Sequence, residues 1–193
     1  LRNARRGGAA ATDADHDVER RDRMRPQRKI LIFGASYGSL LAIKLLYANH
    51  AVKLICLPDE AELFNTEGAI VRMPVKGRDG LIQLESRKAP GKLSAGGPQS
   101  ANPADYDLVV LAMQEPQYGS PGVRELLDAV AKSRVPCMSI MNMPPLPYLS
   151  RIPRVDEKAC RTCYTDPAVW DGFDPSLMTL CSPDPQAFRP PDE

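Results

Sequence analysis

Gly34, Ala35, Ser36, Tyr37, Gly38 and Ser39 lie between a short apolar run, Lys29 to Phe33, and an amphipathic run that begins at Leu40. Glycines and serines at this density suit one kind of chemistry. Backbone N–H groups are brought close to the phosphates of a nucleotide, at the positive end of a helix dipole. Glycine is needed wherever a Cβ would hold the phosphate away or forbid the turn. The usual fingerprint sets glycines at its first, third and sixth positions; here those positions hold Gly34, Ser36 and Ser39, and the second glycine is Gly38. A strand directly before and a helix directly after supply the context that such a motif requires. The plain alternative is a tight strand-to-helix turn that binds nothing.

A second spacing with chemical meaning is Cys160-x-x-Cys163. The five cysteines, Cys56, Cys137, Cys160, Cys163 and Cys181, are an odd number without a repeating pattern, which fits free thiols in a reducing compartment. A C-x-x-C pair is half of a zinc site or a redox pair. No second pair exists and the only histidines are His16 and His50, so the ligand count argues against a metal. The pair lies in a proline-rich tail and not at a helix start, which argues against a redox role.

The elements that must position these residues follow from hydrophobic period. Lys29 to Phe33 has no helical period and fits a strand buried on both faces. Leu40, Leu41, Ile43, Leu45 and Leu46 form an apolar stripe that can pack on a sheet, Asn49 and His50 close that helix, and Val52 to Leu57 is a second strand. Asp59, just past it, is placed to accept hydrogen bonds from an adenosine ribose; with no Arg there, NAD is favoured over NADP. Asp59 equally suits the cap of a short helix from Glu60 to Asn65. Gly68 to Val75 and Leu81 to Ser86 flank the turn Lys76 to Gly80 and describe a hairpin. Ala89 to Pro103 reads as a surface loop.

Tyr106 to Met113 is the strongest strand signal and must be central. Val123, Leu126, Leu127 and Val130 have helical spacing after Pro121, and Val135 to Met141 is a further buried strand ending at Asn142. This alternation predicts an α/β fold, Rossmann-like and doubly wound, with a mostly parallel sheet and an inserted β-hairpin. Its ligand cleft lies at the carboxyl ends of the strands. There the loop amides, Ser36 and Ser39 would hold a pyrophosphate, and Gln114 and Asn142, each at a strand's end, would line the nicotinamide side.

The order of these pieces resembles the amino-terminal domain of the ketopantoate reductase family, over roughly Lys29 to Pro147. The pieces are ILIFGASYGSLLAIKLL, NHAVKLICLPDEAELFNTEGAIVRM, YDLVVLAMQ and SIMNM. The resemblance implies a cofactor domain that binds NADP or NAD, with hydride transfer to or from a small keto or hydroxy acid. The sequence departs from the family's pattern at named places. The glycine loop is one residue shorter, Gln114 stands where a Lys is common, and Met141-Asn142-Met143 stands where Gln-Asn-Gly is usual. Pro58 and Asp59 replace the Arg that often selects NADPH, and the helical domain that supplies the family's catalytic Lys has no counterpart. The chain is therefore expected to be the cofactor part of a longer enzyme, with its catalytic residues unassigned. The rival readings are a non-catalytic dinucleotide sensor and a structural domain whose glycine loop is only a turn.

Charge and composition bound the rest. The 193 residues hold 25 Lys plus Arg against 24 Asp plus Glu, which gives no electrostatic case for nucleic acid or membrane as partner. No apolar run approaches the roughly 20 residues of a membrane span. A cytoplasmic protein with a small-molecule substrate is the expectation. Residues 1–27 read as a disordered leader, 28–150 as the NAD(P)-binding domain, and 151–193 as an extension or the start of a second domain. In that tail Ala168 to Cys181 has apolar character enough for a short helix. Trp170, Phe173, Leu177, Met178 and Leu180 there would cover a sheet edge or meet a missing domain or a second copy of the chain, as in a homodimer.

Overall fold

Six strands in parallel register carry the molecule. The computed structural model describes residues 26–75 and 77–181; most of the expected leader with His16, Lys76, and residues 182–193 lie outside the described residues. Strand β1 (Lys29–Phe33) leads through the glycine turn into helix α1 (Gly38–Tyr47) and back into β2 (Ala51–Ile55). Next come α2 (Pro58–Thr66), the hairpin β3 (Ile70–Pro74) and β4 (Leu81–Glu85), and β5 (Lys92–Gly96). The second half holds β6 (Leu108–Leu111), α3 (Val123–Ser133), β7 (Cys137–Ser139), the short helices α4 (Leu146–Leu149) and α5 (Glu157–Arg161), and β8 (Met178–Leu180).

The sheet order is β5-β2-β1-β6-β7-β8, every neighbouring pair parallel, and β3 pairs antiparallel with β4 in a separate sheet. Counted along the chain without the hairpin, the strands run 3-2-1-4-5-6. That is the doubly wound Rossmann order, and the chain reverses direction of growth between β1 and β6.

Period two along each strand splits the core into two layers. Ile30 and Ile32 of β1, Val52 and Leu54 of β2 and Val110 of β6 face Ala42, Ile43 and Leu46 of α1. Leu31, Phe33, Val109 and Leu111 turn the other way, onto Leu126, Leu127 and Val130 of α3 with Tyr118, Trp170 and Met178. Burial of a Leu or Ile of this kind is worth about 1.5–3 kcal/mol, so the two layers hold the helices on opposite faces of the sheet.

Three differences from the sequence reading have physical causes. Ala89 to Pro103 is not all loop, because Lys92 to Gly96 pairs residue for residue with Ala51 to Ile55 as the edge strand β5. Apart from Leu93 its residues are small or polar, as an edge strand paired only with β2 tolerates, so no apolar run announces the strand. The helix after β2 begins earlier than Glu60: Pro58 takes its first position, Leu57 its N-cap, and Asp59 sits exposed in the first turn. The tail from Ala168 to Cys181 forms two 3₁₀ turns, Pro167–Trp170 and Pro175–Leu177, and then β8, which extends the sheet past residue 150. A three-residue strand carries no period that a sequence can show.

Polar ties fasten this last segment. The Tyr164 hydroxyl donates to the Pro144 carbonyl, and the Arg151 guanidinium donates to the Met178 carbonyl at 2.7 Å. Arg124 of α3 pairs with Asp166 at 2.7 Å.

Candidate functional site

Gly34 ends β1 with φ +96°, and its N–H donates to the Ile55 carbonyl at 2.8 Å. On its other side Ala112 N–H donates to the Phe33 carbonyl at 2.9 Å, so the turn is stitched to both neighbouring strands. A Cβ on Gly34 would lie 2.9 Å from the Ala112 carbonyl oxygen and 3.0 Å from Met113 Cγ. A Cβ on Gly38 would lie 2.7 Å from Ile32 Cγ2. The first glycine therefore makes the turn, and the second lets α1 approach the sheet. Three residues separate them instead of the fingerprint's four, and the position between is taken by Ser36, exposed to solvent.

Above this turn, at the carboxyl ends of β1, β2, β5 and β6, lies a cavity of about 560 Å³. Gly34, Ala35, Ser36 and Tyr37 line its floor, Leu57, Pro58 and Glu60 one wall, and Gly97, Pro98 and Gln99 the end beyond β5. Gln114, Gln117 and Ser120 line the opposite wall. A second cavity of about 330 Å³ adjoins it, lined by Glu115, Met141, Asn142 and Met143. Tyr37, Ala112, Met113 and Gln114 line both, so the two form one bent cleft across the switch point. A volume of several hundred Å³ there is what a small-molecule site in an open α/β sheet requires.

The nine expected site residues divide clearly. Gly34, Ala35, Ser36, Tyr37 and Gln114 line the main cavity, and Asn142 lines the adjoining one with Tyr37 and Gln114. Gly38 and Ser39 lie beneath the floor, in the first turn of α1. The Ser39 hydroxyl donates to the Ser36 carbonyl at 3.1 Å and its N–H to the Ala35 carbonyl at 2.9 Å, so Ser39 holds the loop's shape. Asp59 is not among the residues lining either cavity. Glu60 lines the main one, and its carboxylate accepts the Leu57 N–H at 3.1 Å.

Several lining residues were not read from the sequence. Glu60 was missed because the helix begins two residues early, at Pro58, which leaves Asp59 exposed, and Gly97 to Gln99 were missed with β5. Pro58, two residues before Glu60 and fitted to a first helical turn, was the available signal.

Electrostatics in the cleft are simple. Glu60 is the only Asp, Glu, Lys or Arg among the residues lining the main cavity, as Glu115 is in the adjoining one. Glu115 is buried, and one carboxylate oxygen accepts the Thr165 N–H at 3.0 Å. Burial and the nearby Glu60 carboxylate push the Cys56 thiol up to about 11, so it stays neutral in the cleft wall. Burial likewise raises the Tyr118 phenol, which accepts the Met113 N–H at 3.2 Å and props up the loop that carries Gln114. A phosphate on the floor would be met by backbone amides and the α1 N-terminus, without a lining Lys or Arg.

Among the described residues no helix is long and apolar enough to cross a membrane, and no group of three or more His, Cys, Asp or Glu is arranged to hold a metal ion. No family model matches the sequence. No curated protein matches it. Solved structures do. A protein from Ralstonia solanacearum MolK2 assigned as a ketopantoate reductase is 18% identical over 66% of this chain and 36% of its own, with a TM-score of 0.44. The minor L-lactate dehydrogenase of Enterococcus mundtii is 18% identical over 63% of this chain and 40% of its own, with a TM-score of 0.38. A diketoreductase is 16% identical over 86% of this chain and 68% of its own, also at 0.38. The chain thus spans little more than a third of the first of these proteins and two fifths of the second.

Proposed function

We propose that the chain is the dinucleotide-binding part of an oxidoreductase, and that the bent cleft holds NAD(H). The observation that carries this reading is the N-terminus of α1 opening, through Ser36 and Tyr37, onto a cavity at the switch point of a 3-2-1-4-5-6 sheet. In this reading the amides of residues 35–38, at the N-terminus of α1, receive the pyrophosphate, since the Gly34 N–H is already bonded to Ile55. Glu60, in the place expected of Asp59, accepts the hydroxyls of the adenosine ribose, and a 2′-phosphate beside that carboxylate would be repelled. Gln114 and Asn142 offer side-chain amides at the nicotinamide end. The bound dinucleotide supplies the hydride chemistry; the chain's own residues position it and exclude water from it. The substrate is a small keto or hydroxy acid admitted from the adjoining cavity, as the resemblance to ketopantoate reductases implies.

The second reading, a cofactor sensor without catalysis, is favoured by one observation. No Lys or His lines either cavity to polarise a carbonyl.

Calorimetric titration of the chain with NADH and NADPH tests both. NADH is expected to bind, and Ser36→Asp, which sets a carboxylate on the cavity floor without touching the packing under it, is expected to weaken binding about tenfold or more. Glu60→Gln is expected to narrow the gap between the two cofactors. Failure of the folded chain to bind either one would overturn the proposal, and a longer parent protein that binds NADH without oxidising any 2-hydroxy acid would favour the sensor.

A further inference from the structure

The Cys160 and Cys163 pair has no part in the cleft just described, yet its geometry is specific. The chain leaves α5 through three successive i→i+3 bonds: Thr162 N–H to Ala159 O at 3.2 Å, Cys163 N–H to Cys160 O at 3.0 Å, and Tyr164 N–H to Arg161 O at 3.2 Å. In such a run side chains three apart stand one above the other. The turn also keeps their Cα atoms within about 7 Å, which overlaps the roughly 4.4–6.8 Å that a disulfide spans. The two thiols differ in access: Cys163 is exposed, and Cys160 is half-buried against the α3-side core. Cys56 and Cys137 are buried, with thiols pushed up by burial to about 11 and about 12. Those two are inert by comparison.

We propose that Cys160 and Cys163 form a thiol–disulfide modification site, with a low-molecular-weight disulfide such as glutathione disulfide as the oxidant. The Cys163 thiolate attacks one sulfur of glutathione disulfide; that S–S bond breaks and one glutathione thiolate leaves. The Cys160 thiolate then attacks the Cys163 sulfur, and the second glutathione leaves. The two protein thiols lose two protons and two electrons in all, and one glutathione disulfide becomes two glutathiones. Cys160 is the resolving thiol because it is shielded from the oxidant but stacked on Cys163. The site adjoins the cleft through the next two residues. The Tyr164 hydroxyl donates to the carbonyl of Pro144, which directly follows Met143 of the adjoining cavity, and Thr165 N–H donates to Glu115. Drawing the Cys160 sulfur from the core toward Cys163 strains that turn, and the strain falls on these two ties.

The test uses the full chain carrying Cys181→Ser, treated with glutathione disulfide and mapped by mass. Trypsin cuts after Lys158 and, between the two cysteines, after Arg161, so the disulfide joins two peptides that reduction separates. The expected product has lost two hydrogens and retains no glutathione. Adding Cys160→Ser should trap one glutathione on Cys163, and adding Cys163→Ser should slow modification about tenfold. Exchange of the Thr165 amide, measured by hydrogen–deuterium exchange, should differ between oxidised and reduced chains. Stable glutathione on both cysteines, no reaction of the folded chain, or a crosslink to Cys56 or Cys137 would each overturn the site, and identical Thr165 exchange would overturn its link to the cleft.

Discussion

The two ends of the cleft are built by different means. On the β1 side, Gly34 to Ser39 is fixed from below by close packing: Gly34 against Ala112, Gly38 against Ile32, and Ala42, Ile43 and Leu46 wholly buried on the sheet. On the β7 side, residues 141–170 make short turns that reach the core at Met141, Leu146, Tyr164, Val169 and Trp170, and hydrogen bonds and ion pairs hold the stretches between, Glu115 to Thr165, Tyr164 to Pro144 and Arg124 to Asp166. Apolar packing gives no ready alternative arrangement, so the floor under the proposed phosphate site is rigid. Such polar ties are individually worth about 1 kcal/mol, so the stretches between the core anchors can open without unfolding the sheet.

The largest effect should come from the packed side. Gly34→Ala combines a φ of +96° with a Cβ 2.9 Å from a backbone oxygen that cannot rotate away. The strain and the overpacking each cost about 1–3 kcal/mol, so denaturant unfolding should show a loss of several kcal/mol. A loss under about 1 kcal/mol would mean that β1 and β6 can slide apart, and the contrast between the two sides would fail.

The packed side was also the legible side. Ile30 to Phe33, the leucines of α1 and Val109 to Leu111 are apolar runs whose period matches the element they form, and the glycine turn between them was read two residues too long, because Gly38 and Ser39 already belong to α1. Glu60 was missed by a single residue, because helical phase depends on where the first turn starts and Pro58 starts it early. The polar side was illegible for a different reason. Lys92 to Gly96 and Met178 to Leu180 become strands only because β2 and β7 offer unpaired edges, and no local pattern records a distant edge. The Glu115 to Thr165 tie, 50 residues apart, is equally invisible before folding.

Glu115→Ala addresses the polar side directly. It removes the acceptor of the Thr165 N–H in a part-buried setting, which costs about 1 kcal/mol. Hydrogen exchange should rise first across 141–170 and leave the amides of β1 and α1 protected. If β1 and α1 exchanged as fast, the two sides would be one cooperative unit. Glu115→Gln keeps an acceptor and should recover most of the loss, which separates the hydrogen bond from the charge.

The smallest effect sharpens the comparison from the far end of the sheet. Asp107, just before β6, accepts the Lys29 N–H at 2.8 Å and pairs with Arg28 at 2.9 Å. The Lys29 N–H, and then the Arg28 guanidinium, hold its carboxyl below the usual carboxylate range. A depressed folded-state pKa means that the stabilisation is complete above the unfolded value, about 3.9, and is lost as pH falls through the folded value. The side chain is partly exposed, so solvent screening limits the contribution to a few tenths of a kcal/mol. Asp107→Asn should therefore lower stability slightly at neutral pH, and the difference from the parent should close below about pH 4. A difference that stayed constant into acid would assign the tie to hydrogen-bond geometry instead of charge. A difference of several kcal/mol would show that the packed side also leans on its polar ties, against the division drawn between the two ends of the cleft.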